Sequence, residues 1–286
     1  MTTHKRPQWL NKRISLKECK ELKGMFKDLG LNTVCEEAHC PNISECFSKR
    51  TATFMILGDI CTRNCAFCAI KKGDPLPPDH NEPERIAQAV KNLDLKYVVI
   101  TSVTRDDLSD GGAELFAMTV TAIRNCIQSA KIELLTPDFK GDFEPLKKIV
   151  DSMPDVVNHN IETVPRLYKE VRSQSDYRRS ISILRIAKEI SGEKNIYTKS
   201  GLMVGMGEGA EEVLELFEDL RNAGCDFLSI GQYLSPGPGH YPVKEYVSPD
   251  RFSYYKNEAL KIGFLHVESG PYVRSSYCAS EYFDSL

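Results

Sequence analysis

Phe54-Met55-Ile56-Leu57-Gly58-Asp59-Ile60-Cys61-Thr62-Arg63-Asn64-Cys65-Ala66-Phe67-Cys68 is an apolar run that breaks at a glycine and delivers three cysteines spaced CX3CX2C. The run has the length and composition of a buried strand, and the cysteines fall on the loop at its end. Three thiolates at such short gaps can hold three corners of a cubane four-iron–four-sulfur cluster and leave the fourth iron without a protein ligand. An iron left open in this way is a reaction site. Structural zinc favours paired CX2C knuckles contributing four ligands, and no second knuckle follows Cys65-Ala66-Phe67-Cys68. Upstream, Cys35, Cys40 and Cys46 supply another three thiolates as CX4CX5C, so a second cluster is expected there.

Outward from this loop, short β-rich runs alternate with segments of helical period. Strands are predicted at 53–58, 96–102, 131–135, 156–161, 196–204 and 226–231. Several, such as Tyr97-Val98-Val99-Ile100, are continuously apolar, as parallel strands covered on both faces should be. Helices are predicted at 84–93, 113–128, 178–190 and 210–223, the last with Val213, Leu214, Phe217 and Leu220 on one face and Gly224 as its stop. The polar and glycine-rich loops all follow strand ends, including Thr101 to Gly112, Asn158 to Thr163, Lys199 to Gly209 and Gln232 to His240. Barrel enzymes gather their catalytic groups on that face. The expected fold is therefore α/β, a partial (β/α)6 TIM-type barrel over 51–240. Residues 1–50 form an N-terminal extension carrying the upstream cysteines, and 241–286 form a C-terminal extension that closes the barrel.

The chain has 286 residues, 41% of them hydrophobic, enough to bury one full catalytic core. A formal charge of -3 gives no electrostatic footprint for nucleic acid, and no apolar stretch approaches a membrane span. The N-terminus lacks a signal-peptide hydrophobic region. Its basic strip of His4, Lys5, Arg6, Lys12, Arg13 and Lys17 reads as a solvated face rather than a targeting segment. Ten cysteines are too sparse for a disulfide scaffold, and their clustering suits metal ligation in a reducing compartment such as the cytoplasm. Of the others, Cys126 and Cys225 are expected in the core or at helix ends. Cys19 and Cys278 stand alone, and His39, His159, His240 and His266 have no spacing to a second ligand.

The CX3CX2C loop after the first strand of a partial barrel resembles the radical S-adenosylmethionine superfamily. Within it, the chain resembles the lipoyl synthases nearly end to end. The upstream CX4CX5C and Arg274-Ser275-Ser276-Tyr277 carry that resemblance. So do Thr101-Ser102-Val103-Thr104-Arg105-Asp106-Asp107 with Asp110-Gly111-Gly112-Ala113, Asn158-His159-Asn160-Ile161-Glu162-Thr163, and Gln232-Tyr233-Leu234-Ser235-Pro236-Gly237-Pro238-Gly239-His240. The family's usual residue after the serine–serine–tyrosine run is histidine, and here it is Cys278.

The resemblance implies the chemistry. Cys61, Cys65 and Cys68 would hold a 4Fe-4S cluster whose open iron chelates S-adenosylmethionine. Its sulfonium is cleaved after one-electron reduction, and a 5′-deoxyadenosyl radical removes hydrogen from C6 and C8 of an octanoyl chain amide-linked to a lysine. Cys35, Cys40 and Cys46 would hold an auxiliary 4Fe-4S cluster consumed as sulfur donor, with a serine, Ser276 or its neighbour Ser275, as fourth ligand. A hard alkoxide suits a soft sulfur site poorly and is readily surrendered. Thr101, Ser102, Gly111, Gly112, Asn160 and Glu162 match the family's contacts to S-adenosylmethionine. Two such molecules would be used per lipoyl group. Implied partners are octanoylated carrier domains (2-oxoacid dehydrogenase E2 subunits and the glycine cleavage H protein), a flavodoxin- or ferredoxin-type electron donor, and an iron–sulfur carrier. Two other readings stand beside this one: a relative inserting sulfur into another substrate, and a zinc-held binding module without activity.

Overall fold

Apolar runs bounded by turn residues pair side by side because each can bury both faces under helices. The computed structural model describes residues 7–11, 16–38, 40–48, 53–279 and 281–284. The N-terminal basic residues His4 to Arg6, Lys12 and Arg13 and the lone His39 lie outside that set, as does the Cys19 side chain. The chain enters through α1 (Leu16–Asp28), β1 (Asn32–Thr33), α2 (Val34–Glu37) and α3 (Ile43–Ser48). It continues through β2 (Thr53–Ile56), β3 (Ile60–Cys61), β4 (Lys71–Lys72), α4 (Glu82–Asn92), β5 (Tyr97–Ser102) and α5 (Ala113–Cys126). Next come β6 (Lys131–Leu135), α6 (Phe143–Asp151), β7 (Val156–Asn158), α7 (Tyr168–Val171) and α8 (Tyr177–Ser191). The last elements are β8 (Tyr197–Val204), α9 (Ala210–Asn222), β9 (Phe227–Gln232), α10 (Pro249–Ile262), β10 (His266–Gly270) and α11 (Glu281–Asp284).

One sheet runs β1-β2-β5-β6-β7-β8-β9-β10. All its neighbours from β2 to β10 are parallel, and β1 lies antiparallel on β2. The two ends do not pair with each other, so the barrel is partial. A seventh parallel strand, β10, joins the six expected, with His266 to Gly270 in register with Phe227 to Gly231. It escaped the sequence reading because it is an edge strand burying one apolar side chain, Val267, over its five residues. Among the described residues no helix is long and apolar enough to cross a membrane.

Two apolar layers lie between sheet and helices. One gathers Phe54, Ile56, Val98, Ile100 and Ile132 under α4, α5 and α6, and the other gathers Leu202, Val204, Leu228 and Ile230 under α8, α9 and α10. The predicted α9 stripe is buried at Val213, Phe217 and Leu220 with Leu214 packed against it, each full burial contributing about 1.5–3 kcal/mol. A third apolar set closes the floor of the barrel. There Tyr97, Val99, Val156 and Phe227, all from the first halves of their strands, meet Ala279 and Tyr282 of the C-terminal tail. Tyr282 stands 5.1 Å from the Phe227 ring centroid.

Candidate active site

At the end of β2 the chain turns sharply, with Leu57 at φ 70 and Gly58 at φ 91. The turn is pinned on both sides of Leu57: its N–H donates to buried Glu82 at 2.8 Å and its carbonyl accepts from Arg105. This launches the cysteine loop over the C-terminal ends of the strands. Pairing of β3 with β4 closes the loop below Cys61. Its crest is tied to three other strand-end loops: Thr62 N–H donates to Thr104, Ala66 N–H to Val171, and Ala66 carbonyl accepts from Tyr241 N–H at 2.8 Å.

The loop stands on a charge network whose key residue the sequence reading passed over. Arg63 turns under the loop and donates to Asp106 at 2.7 Å and to the unexposed Asp138 at 2.7 Å. Arg179 reaches the same carboxylate at 2.8 Å, while Arg105 forks onto Asp107. Arg105, Asp106 and Asp107 thus act in loop stabilisation. Burial raises the Asp138 pKa, but Arg63 and Arg179 outweigh it and hold the carboxyl well below the usual carboxylate range. Its stabilisation is therefore full above the ordinary carboxylate pKa near 4 and fades only as pH falls towards the depressed value. Asp138→Ala is expected to cost about 3–5 kcal/mol, because buried Arg63 keeps its charge without this partner. Denaturant titration measures it, and a loss under about 1 kcal/mol would put Asp138 outside the framework of the loop.

The three loop thiols are half-buried and face one another. Burial raises Cys65, with Cys61 and Glu162 adding to it against Arg172; burial and the neighbouring Cys65 and Cys61 push Cys68 up to about 11. Upstream, burial and then Cys40 push Cys35 up to about 12, with Cys46 adding to it and the Thr53 N–H opposing. Three thiolates so placed repel each other until a cation sits among them, so both donor sets fit a cationic cluster. No three Cys, His, Asp or Glu among the described residues converge on a point suited to one metal ion. Cys35, Cys40, Cys61, Cys65, Cys68, Cys126 and Cys225 are free thiols.

The upstream trio is bound to the other end of the chain. Thr33 caps α2, bringing Cys35 to its first turn. Asn42 Nδ2 donates to the Tyr272 carbonyl at 2.6 Å and Tyr277 OH donates to Glu45 at 2.9 Å. Thr53, whose N–H faces Cys35, donates its hydroxyl to Ser276 Oγ at 2.7 Å. Ser275 points elsewhere: it accepts from Asn158 and donates to Asn160, both at 2.9 Å. The two neighbouring serines are thus sorted, with Ser276 on the Cys35 side.

Between the trios lie Glu162 and Arg274. Glu162 holds φ at 67, a left-handed conformation that a non-glycine residue rarely adopts outside functional sites. It is fixed there by Glu162 N–H to Gly201 and Met203 N–H to Glu162, and its carboxylate accepts from Asn160 Nδ2 at 3.1 Å. Loss of solvent raises its pKa, opposed by Arg172, Asn160 and Arg274. Glu162 faces Cys65 and Cys68 on one side, and Arg274 faces both Glu162 and Cys40. Glu162 and Arg274 therefore lie between the loop thiols and Cys40.

Several polar atoms there are buried without a partner among the described residues: Ser102 Oγ, Thr163 Oγ1 and Arg172 Nε. Arg172 went unnoticed in the sequence, where nothing marks it as inward-facing. Thr101 instead donates to the Leu135 carbonyl inside the sheet. Gly111 and Gly112, at φ 58 and 91, pack where a Cβ would strike Phe139 and Leu57. Both positions therefore need glycine for turn geometry and close packing. Gly205 and Gly207 likewise pack against Gln232 and Lys244. His159 is a core histidine, bonded to the Thr136 carbonyl and Ser180; Cys225 is buried and Cys126 ends α5 exposed.

The sequence profile of the Radical SAM superfamily matches residues 55–231. The chain is 57% identical over 282 residues to the lipoyl synthase of Caldicellulosiruptor saccharolyticus, covering 98% of each. It is 52% identical to the lipoyl synthase of Geobacter metallireducens over the full length of both. Among solved structures, methylornithine synthase superposes with a TM-score of 0.57 at 14% identity, covering 75% of this chain and 70% of that one. Streptococcus suis SuiB bound to S-adenosylmethionine gives 0.53 at 16% identity, over 86% and 57%. At those identities the superpositions speak for the barrel fold alone.

Proposed function

The chain belongs to the lipoyl synthase family of radical S-adenosylmethionine enzymes, and on that premise we propose how its two thiol trios divide the reaction. The protein is a sulfur-inserting enzyme that uses S-adenosylmethionine and two 4Fe-4S clusters and acts on an octanoylated lipoyl domain. In our reading Cys61, Cys65 and Cys68 hold the cluster with the open iron, and Cys35, Cys40, Cys46 and Ser276 hold the auxiliary one. When bound, the first supplies the electron that cleaves the sulfonium to yield the hydrogen-abstracting radical, and the second supplies sulfur to C6 and C8.

The chain's own residues orient and enclose. Glu162 and Asn160 accept and donate at the rim, and Ser102 Oγ and Arg172 Nε offer unpaired buried groups to the polar parts of S-adenosylmethionine. Arg172 beside Cys65 balances a carboxylate there. Thr101 buttresses the strand end from within the sheet, and Asp110–Gly112 shape the start of α5. Gln232 holds the segment after β9 to the end of that strand: Nε2 donates to the Glu245 carbonyl at 2.9 Å and Oε1 accepts from Val247 N–H at 2.8 Å. The observation that carries this division is the contact of Ser276 with Thr53 beside Cys35, which joins the tail to the upstream trio.

The carriers we propose are 2-oxoacid dehydrogenase E2 subunits and the glycine cleavage H protein. The electron donor is a small flavodoxin or ferredoxin, and an iron–sulfur carrier rebuilds the auxiliary cluster. We assign the enzyme to a reducing space such as the cytoplasm, a reading supported by its clustered thiols. Anaerobic turnover with an octanoylated lysyl peptide tests the whole. The expected product gains two sulfurs and loses two hydrogens, from protein carrying about eight irons per chain. Colourless protein with stoichiometric zinc, or a peptide of unchanged mass, refutes it.

A further inference from the structure

Lys199 and Glu133 form an ion pair at 3.0 Å inside the barrel, neither side chain exposed. Apolar residues of the same volume commonly serve stability as well as such a pair does, so what the pair holds is the informative question. Glu133 Oε2 accepts from Tyr97 OH and Oε1 accepts from Asn158 Nδ2, both at 2.6 Å. The Asn158 amide gives its second hydrogen to Ser275 Oγ at 2.9 Å. Its carbonyl oxygen has no partner among the described residues. That orientation is forced: an ionised carboxylate only accepts, so the amide must turn its NH2 towards Glu133. On the far side of the pair, the Lys199 ammonium lies 4.1 Å from the ring centroid of Tyr282. The tail is thus gripped twice by one buried unit, at Ser275 near the mouth and at Tyr282 on the floor.

Ser275 is consumed by this arrangement. Its hydroxyl accepts from Asn158 and donates to Asn160, which leaves Ser276 as the serine turned to Thr53 and the Cys35 side. We propose that Asn158, oriented by the buried Glu133–Lys199 pair, is a positioning residue that sequesters Ser275 and so presents Ser276 to the auxiliary cluster. This rests on Ser276 as the iron ligand. The sequence offers two adjacent serines of equal chemistry, and the choice between them is made from inside the barrel.

The test uses the full-length chain, reconstituted anaerobically, with Asn158→Leu removing both amide donors at similar volume. Hydrogen exchange of residues 271–279 should rise at least about tenfold while β6 and β8 stay protected, and the oxygen-ligated iron signature in Mössbauer spectra should weaken. Ser275→Ala leaves Glu133 its three partners and should loosen the same segment, which guards against simple misfolding of the first variant. Unchanged exchange and an unchanged iron signature in both variants would overturn the positioning role. Ser276→Ala, run in parallel, separates the two ideas. Should its iron signature match the parent, Ser276 is not the ligand; should it change while Asn158→Leu does nothing, only the positioning role falls.

Discussion

Cys65→Ala is expected to abolish reductive cleavage of S-adenosylmethionine, to below about a thousandth of the parent rate. The substitution removes one sulfur atom from a loop whose backbone does not depend on it. Ala66 remains bonded to Val171 and Tyr241, Thr62 to Thr104, and Arg63 to Asp106 and Asp138. Cys65 belongs to none of the apolar clusters of the described residues, so the expected loss is of a ligand and not of the fold. With two thiolates left, the site cannot keep three irons of a cubane in place while offering the fourth. Anaerobic chromatography of 5′-deoxyadenosine reads the outcome directly. Cleavage at more than about a tenth of the parent rate would remove Cys65 from the radical-generating site.

The second large effect divides the two trios. Cys40→Ala should leave cleavage of S-adenosylmethionine in place and eliminate lipoyl product, with iron falling from about eight to about four per chain. Cys40 lies on the segment stapled to the C-terminal tail by Asn42–Tyr272 and Tyr277–Glu45. Arg274 and Glu162 lie between it and the radical-generating thiols. Removing it therefore leaves Cys61, Cys65 and Cys68 with every anchor intact. Lipoyl product formed at the parent rate by the Cys40 variant would mean that the sulfur comes from elsewhere.

Much of this was legible in the sequence because it rests on local pattern. The run Tyr97 to Ile100 reads as a strand buried on both faces, and the α9 stripe reads as one helical face. The two cysteine triplets suggest iron–sulfur ligation by their spacing, and the resemblance to the family supplies the chemistry proposed for each. What stayed hidden depends on partners far away in the chain. β10 carries a single buried apolar side chain, so no periodicity marks it. Arg63 looks like a solvated charge inside a cysteine loop until Asp138, on another strand-end loop, is seen beneath it. The sorting of Ser275 from Ser276 requires Asn158 and Thr53, which no reading of the tetrapeptide could supply. Gly111 and Gly112 combine a positive φ with a tight fit against Phe139 and Leu57, a packing need that their pattern alone did not reveal.

The staples between the two ends of the chain bear on the order of events during synthesis. Asn42 meets Tyr272 and Glu45 meets Tyr277 across separations of 230 and 232 residues. Contacts of such long range form late, after the intervening chain has been ordered. While the ribosome is still making the tail, Cys35, Cys40 and Cys46 have no lid and no serine. On the proposed assignment, iron and sulfide are therefore expected to reach that trio after translation, once the tail has closed over it.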